Sequence, residues 1–318
     1  MNGGRAKAPG DPRPDGKDQT MATPAGHPQQ RDLRMADSIL SRPRALAKHL
    51  YLSGLAGWAD LRWRFRKPGK PHGLPQPLVI SLTSYPKRYD ALALTLKTLM
   101  SQTVAADSVV LWIAEKDMAA LPASVRQLQE QGLSIRATDD LRSYKKIIPA
   151  MKAHADSFIL TADDDVYYPA TWLETFCTAY RPGERTALAY RAHRMRFQGG
   201  QLAPYDSWEF EITDPEPGPD VFFTGVGGVL YPPGLLHPDT TDVARLMQLC
   251  PSTDDVWLNW MVRLNGGTVR KIGARMRFRE WPGSQATALQ NSNRGDTGGN
   301  DQQIANIIGT YGLPGFDQ

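Results

Sequence analysis

From residue 78 onward, short apolar runs alternate with amphipathic stretches. Leu78-Val-Ile-Ser-Leu-Thr83 has the length and apolar density of a buried strand, and Ser108–Ala114, Leu133–Ala137 and Phe158–Thr161 repeat that pattern. Between them, Ala91–Ser101 spaces Leu92, Leu96 and Leu99 as one face of a helix. Ala123–Gln131 is a helix stopped by Gly132, and Tyr144–Ala155 (with Pro149) and Pro169–Tyr180 continue the alternation. Strands and helices alternating at this spacing predict an α/β fold with a mainly parallel sheet and helices on both faces.

The second half is less regular. Thr186–Arg191, Phe222–Tyr231 and Thr268–Phe278 read as strands. Asp255–Asn265 is apolar nearly all round and reads as a buried helix ended by Gly266-Gly267. Gln285–Asn300 is polar and Gly-rich, and Asp301–Tyr311 reads as a short helix. No internal repeat is evident.

The N-terminal region has another character. Residues 1–35 hold almost no large apolar side chains, so burial there cannot offset ordering entropy and the segment is expected to be a disordered tail. Residues 36–77 form a basic amphipathic segment and a Pro-rich linker. In it, Leu46, Leu50, Leu55, Trp58, Leu61 and Phe65 recur at roughly helical spacing among Arg42, Arg44, Lys48, Arg62, Arg64, Arg66 and Lys67. Two readings of 38–67 stand: a helix packed on the body through its apolar stripe, or a helix resting on an anionic membrane surface. Pro68, Pro71, Pro75 and Pro77 make the linker stiff. Residues 78–318 then form one α/β domain.

Charge sharpens this division. The 318-residue chain carries net charge +4, yet residues 1–70 hold 14 Lys and Arg against 6 Asp and Glu, leaving 23 against 27 for the rest. The body is therefore slightly acidic and not built for nucleic acid. The longest nearly uncharged stretch, Val221–Leu236, contains two prolines and four glycines and is a poor membrane span, which needs about 20 apolar residues. Only Cys177 and Cys250 are present, with no CxxC spacing, and no apolar run follows the first basic residues. A cytoplasmic location is the expectation.

The strongest chemical signal is Asp163-Asp164-Asp165, directly after the apolar strand Phe-Ile-Leu-Thr161. Adjacent carboxylates repel one another. A divalent cation relieves that repulsion, and hard oxygen ligands suit Mg²⁺ or Mn²⁺. An acidic capping loop is the plainer reading. Strand ends are also where open α/β sheets place ligands. The second signal is Ser252-Thr253-Asp254-Asp255 at the start of the buried helix, either as helix-capping chemistry or as a general base, with Asp255 the preferred base. The third is Phe223-Thr-Gly-Val-Gly-Gly228. It lacks the G-x-G-x-x-G spacing of a dinucleotide loop and precedes a strand, which fits close backbone approach near a site or simple packing.

An Asp-x-Asp strand end after a βαβαβ half, together with the first-strand segment Ser81-Leu-Thr-Ser-Tyr-Pro-Lys-Arg88, resembles the GT-A fold nucleotide-diphosphosugar glycosyltransferases. The family-2-like bacterial members are nearest, with exostosin-like enzymes similar in layout. The resemblance covers about residues 78–280. It implies a glycosyltransferase of the hexosyltransferase class, acting in cell-surface polysaccharide or glycolipid synthesis, with a UDP-linked donor, an inverting course and a glycan or lipid-linked acceptor. It also implies that Asp163 and Asp165 hold the metal, and that Thr83, Tyr85, Arg88, Asp140, Lys145, Asp163 and Asp164 bind the nucleotide-sugar. Asp255 and Asp254 would carry the acid–base chemistry. The family's C-terminal histidine ligand is absent after His237, and Asn300 or Asp301 is the candidate replacement. Trp208, Trp257, Trp260 and Trp281 are candidates for stacking on sugar rings, with Trp257 and Trp260 better placed as core. The alternatives are a non-catalytic carbohydrate- or nucleotide-binding module with a structural cation at the Asp triplet, and a nucleotidyltransferase. For the latter, Ser84–Arg88 lacks the glycines of a phosphate loop.

Overall fold

The computed structural model describes Ala47 and residues 50–275, 278–281 and 299–316. The expected tail at 1–35 and most of the polar stretch 285–300 lie outside the described residues. Leu50–Gln318 is one compact unit.

In chain order its elements are α1 (50–64), β1 (Leu78–Thr83), α2 (Tyr89–Leu99), β2 (Ser108–Ala114), the short α3 (Ala123–Arg126), β3 (Leu133–Thr138), α4 (Ile148–Ala153), β4 (Phe158–Ala162), β5 (Val166–Tyr167) and α5 (Trp172–Ala179). Next come β6 (Thr186–Arg194), β7 (Phe197–Gln198), β8 (Gln201–Leu202), β9 (Val221–Tyr231), α6 (Val243–Leu249), α7 (Asp254–Leu264), β10 (Thr268–Lys271), β11 (Arg279–Glu280) and α8 (Asn300–Tyr311).

Among the described residues, seven strands form the central sheet in the order β10-β6-β9-β4-β1-β2-β3. β9 runs against its neighbours β4 and β6, and every other pairing is parallel. This is a Rossmann-like α/β architecture, as the strand–helix alternation predicted. Apart from the edge strand β3, the strands of this sheet bury both faces. Along β1, Val79 packs with α4 and α7, whereas Leu78, Ile80 and Leu82 pack with α2 and α5. The period-two split of an all-apolar run is what a sheet covered on both sides requires.

Several elements depart from expectation for local reasons. The predicted helix at Tyr144–Ala155 divides into a 3₁₀ turn over Arg142–Lys146 and α4 from Ile148. Pro149 lacks an N–H donor, so it starts a helix more readily than it continues one. The strand expected to run to Phe278 stops at Lys271, with Ile272 still bonded to Ala189 and Gly273 after it at φ +64°. Helix α6 was not foreseen, though Asp242 caps it by accepting from Arg245 N at 3.0 Å.

Helix α1 packs on the body through one side and leaves apolar side chains exposed on another. Leu52, Ala59 and Trp63 are buried, Ala59 against Ala91 and Trp281, while Leu50, Trp58, Leu61 and Phe65 are exposed. The Pro-rich stretch after it lies along the body: Lys70 exchanges backbone bonds with Thr103 and Ala105 at 2.9 and 2.8 Å.

Candidate active site

The carboxyl end of β4, Arg88 beyond β1, the middle of β9 and the start of α7 surround a cavity of about 430 Å³. Open α/β sheets offer their ligand crevice at such strand ends. Asp163 and Asp165 line it, but Asp164, the middle acid of the triplet, does not. Asp164 turns inward, accepting from Ser84 Oγ at 2.6 Å and Arg88 Nη1 at 2.8 Å. Its work is to fasten the first-strand loop. Arg88 also stands 3.2 Å from Asp165 Oδ2. Burial works against the Arg88 charge, but Asp164 and Asp165 outweigh it and hold the guanidinium above its ordinary pKa. The triplet's backbone is pinned as well, Asp163 N donating to Tyr168 Oη at 2.7 Å.

Opposite the triplet stands the acid pair. Thr253 is the N-cap of α7 but makes no side-chain cap bond, and Asp254 and Asp255 are the first two helical residues. Asp255 does not cap its own helix: its Oδ1 accepts from Gly225 N of β9 at 2.9 Å. The loop before α7 is held by Gln303 of α8, whose Oε1 accepts from Ser252 N and Thr253 N at 3.1 and 3.2 Å.

Lys146 joins the two acid groups. Its Nζ lies 3.1 Å from Asp254 Oδ2 and 3.7 Å from Asp163 Oδ1. Burial disfavours the ammonium, yet Asp254, Asp163 and Asp255 together raise its pKa well above the usual lysine value. Sequence reasoning chose its neighbour Lys145. That side chain instead points to the β3 end and pairs with Asp140 at 3.1 Å, where Lys116 also meets Asp140 at 2.5 Å. The hydrogen bond from Lys116, set against a smaller effect of burial and helped by Lys145, lowers Asp140 to about 2.

The remaining predicted nucleotide residues sit at the β1 end. Thr83 Oγ1 donates to Trp112 O of β2 at 2.8 Å, and the Tyr85 ring lies 5.6 Å from the Arg88 guanidinium carbon. Neither lines the cavity.

The electrostatics are those of an anion-crowded site. Withdrawal from water is the largest cause in each case. It raises Asp163 above its usual range, and with Asp164 and Asp163 nearby it pushes Asp165 up to about 7. Burial and the adjacent Asp254 push Asp255 up to about 7, against the pull of Lys146 and the Gly225 N–H.

The glycine segment has a specific purpose here. Ala189 pairs with Val229 and Arg191 with Thr224, so residues 225–228 leave the β9 ladder as a bulge. Gly225 approaches the acid pair so closely that a Cβ would stand 3.0 Å from Asp255 Oδ1 and 3.3 Å from Lys146 Nζ. Gly227 adopts φ +84° and presents its carbonyl to Trp172 Nε1 at 2.7 Å. Gly225→Ala is expected to keep the fold, its φ being ordinary, while displacing Asp255. A loss of about 10²-fold in kcat is expected if Asp255 must be placed within a fraction of an ångström. Steady-state rates and the thermal midpoint of the variant check this.

The other wall, over β6 and β9, carries Arg191, His193, Tyr205, Phe210 and Phe222. Arg191 Nε donates to Thr224 Oγ1 at 2.7 Å, and His193 lies 4.4 Å from the Phe210 ring. Burial, then Arg191, lowers His193 to about 4, so it is neutral at pH 7. Trp257 and Trp260 are core, as expected, but Trp208 and Trp281 need correction as stacking candidates. Trp208, Trp257, Trp260 and Trp281 are all buried, and none lines the cavity. Trp281 Nε1, for example, donates to Thr95 Oγ1 at 2.8 Å beneath α1. The less buried rings along the cavity are those of Tyr205, Phe210 and Phe278.

No protein-family model and no curated protein sequence matches this chain. Among solved structures, the inositol-1-phosphate CTP transferase from T. maritima is similar at 9 % identity and a TM-score of 0.35, covering 77 % of this chain and 99 % of that one. At that TM-score the likeness adds nothing to the reading of the site.

A divalent cation fits the residues present. Asp163 and Asp165 supply hard carboxylate oxygens whose ionised forms are disfavoured chiefly by burial, a cost that a bound cation would offset. Among the described residues, no three ligating side chains form a closed set. Mg²⁺ or Mn²⁺ would therefore take the rest of its shell from phosphate and water oxygens, as it commonly does in phosphate-handling sites. Asn300 also lines the cavity, and its buried Oδ1 has no partner among the described residues, whereas Asp301 is engaged with Tyr205 N at 2.7 Å.

Proposed function

We propose that this chain is a metal-dependent glycosyltransferase. It moves a sugar from a nucleotide-diphosphate donor, UDP-linked by the family resemblance, to a carbohydrate or lipid-linked acceptor in cell-surface polysaccharide or glycolipid synthesis. The observation that carries this reading is the meeting of two separate acid sets in one cavity, Asp163 with Asp165 and Asp254 with Asp255. One set suits a cation on a diphosphate, and the other suits proton removal from a hydroxyl.

When bound between Asp163 and Asp165, Mn²⁺ or Mg²⁺ supplies Lewis-acid neutralisation of the leaving diphosphate. Arg88, held by Asp164, adds a fixed cation beside it. Thr83, Tyr85, Asp140 and Lys145, at the ends of β1 and β3, take the nucleoside side. The aromatic wall of Tyr205 and Phe210 takes the acceptor ring. The acceptor oxygen forms its bond to the anomeric carbon as that carbon's bond to phosphate oxygen breaks. Asp255 accepts the hydroxyl proton, and the nucleoside diphosphate leaves with the bonding electrons. Lys146, between Asp163 and Asp254, holds the two acid sets at a fixed separation.

Incubation with a panel of nucleotide-sugars and acceptors, with and without Mn²⁺, tests the proposal. Mn²⁺-dependent release of nucleoside diphosphate with a glycosylated acceptor is expected. Pyrophosphate release from a nucleoside triphosphate and a phosphorylated alcohol would replace the proposal with nucleotidyl transfer. Tight donor binding without turnover would leave a binding module.

A further inference from the structure

We propose that the exposed face of α1 is a docking surface for an anionic lipid bilayer. Among the described residues, five of the seven exposed large apolar side chains fall within this one short segment: Leu50, Tyr51, Trp58, Leu61 and Phe65. Trp58, Leu61 and Phe65 are 54, 49 and 71 % exposed and recur at helical spacing, so they form one stripe, while Ala59 and Trp63 on the other side are buried in the body. Buried neighbours fix the helix in place and leave the stripe facing outward.

The rim of this stripe is mostly cationic, with Glu174 the one acid lining the same groove among the described residues. Arg62, Arg64, Arg66, Lys67 and Lys70 border it, and among the described residues none of them is ion-paired. Arg62 donates to Ser101 O, and Arg66 to Trp63 O at 2.9 Å and Gln131 Oε1 at 2.8 Å. The helix's acid, Asp60, is already taken by Lys97 at 2.5 Å. Apolar side chains flanked by unneutralised Arg and Lys match the acyl boundary and phosphate layer of an anionic leaflet.

Charge argues against the other occupants. Residues 1–49 carry 9 Lys and Arg against 5 Asp and Glu, so this segment is no electrostatic complement to the face. A second copy would bring the same cations against themselves. The face also reaches the candidate active site: the Arg279 guanidinium lies 5.6 Å from the Tyr51 ring, and the next residue, Glu280, lines the cavity. A bilayer on α1 therefore brings one rim of the cavity to the lipid surface. The proposal itself does not depend on the chemistry performed there.

The test is flotation of the full chain with phosphatidylglycerol-containing vesicles and with phosphatidylcholine vesicles. Binding to the former is expected, weakening as salt rises. The combined variant Trp58→Ser, Leu61→Ser, Phe65→Ser should bind at least about tenfold more weakly. Arg64→Glu with Lys67→Glu should also lose about tenfold or more, since each membrane-proximal cation contributes about fivefold. All five side chains are exposed, so the thermal midpoint should not move. Trp58 is the one exposed tryptophan of the eight in the chain. Brominated acyl chains should therefore quench wild-type fluorescence, and Trp58→Phe should bind normally but lose that quenching. Wild-type chain that stays with buffer overturns the proposal, as does a triple variant that floats unchanged. A wild-type dimer that the triple variant dissociates, without vesicle binding, would assign the face to self-association.

Discussion

Asp165→Asn is expected to lower activity by roughly 10³-fold and to abolish most of the response to Mn²⁺. The substitution keeps the side chain's size and removes one of the two carboxylates that face the cavity from the triplet. Several kcal/mol of transition-state charge stabilisation depend on a cation at the leaving diphosphate, and about 4 kcal/mol corresponds to that rate. The fold should survive, because Arg88 keeps its shorter bond to Asp164 at 2.8 Å. Asp163→Asn should act similarly, with an added effect through Lys146. Asp164→Asn should behave differently. It loosens Arg88, itself part of the cavity wall, and the Ser84 loop while leaving Asp163 and Asp165 in place, so KM for the donor should rise while metal dependence remains. Titration of Mn²⁺ against each variant by calorimetry, alongside donor kinetics, separates these outcomes. Equal Mn²⁺ and nucleotide binding by Asp163→Asn, Asp165→Asn and wild type would remove the triplet from the site.

The contrast within one tripeptide shows where sequence reasoning stopped. Leu78–Thr83 was legible to the residue because an apolar run begins after Pro77 and meets a polar loop, and no other element of that length buries both faces. The triplet's position at the end of β4 came from the same logic. Which of its acids faces outward did not, since that depends on the turn between β4 and β5 and on Arg88, which is far away in sequence. Lys145 and Lys146 present the same problem in sharper form. A 3₁₀ turn over Arg142–Lys146, anchored by Ser81 Oγ donating to Lys146 O at 2.5 Å, decides which lysine enters the site. Pro149 hinted that the helix would break but could not give the phase before it. Gln303 was invisible because its partners, Ser252 and Thr253, lie about fifty residues away. Trp208 and Trp281 misled for a simpler reason: indole is large enough that the core claimed every tryptophan but Trp58.

Asp255→Asn should lower kcat by about 10²–10⁴-fold with little change in donor affinity, if Asp255 takes the acceptor proton. The structure makes the experiment cleaner than the sequence did. Asp255 is not the N-cap of α7, and its bond from Gly225 N can be kept by the amide oxygen of Asn. A loss would therefore report proton transfer more than geometry. Because the base is needed only as the hydroxyl attacks, kcat and kcat/KM should fall together. The pH profile supplies an independent readout. Burial, then Asp254, pushes Asp255 up to about 7, and Lys146, the Gly225 N–H and Arg191 oppose that rise. A base must be deprotonated to act, so the acidic limb of kcat/KM should lie near 7, above the ordinary carboxylate range, with activity rising as pH rises through it. Lys146→Met removes the opposing cation and should move that limb to higher pH, whereas Asp254→Asn removes the repelling neighbour and should move it lower. A limb that ignores both substitutions, or Asp255→Asn with activity within a few-fold of wild type, would take the base away from Asp255. A large loss at Asp254 alone would move the assignment by one residue, to the carboxylate that Lys146 already holds.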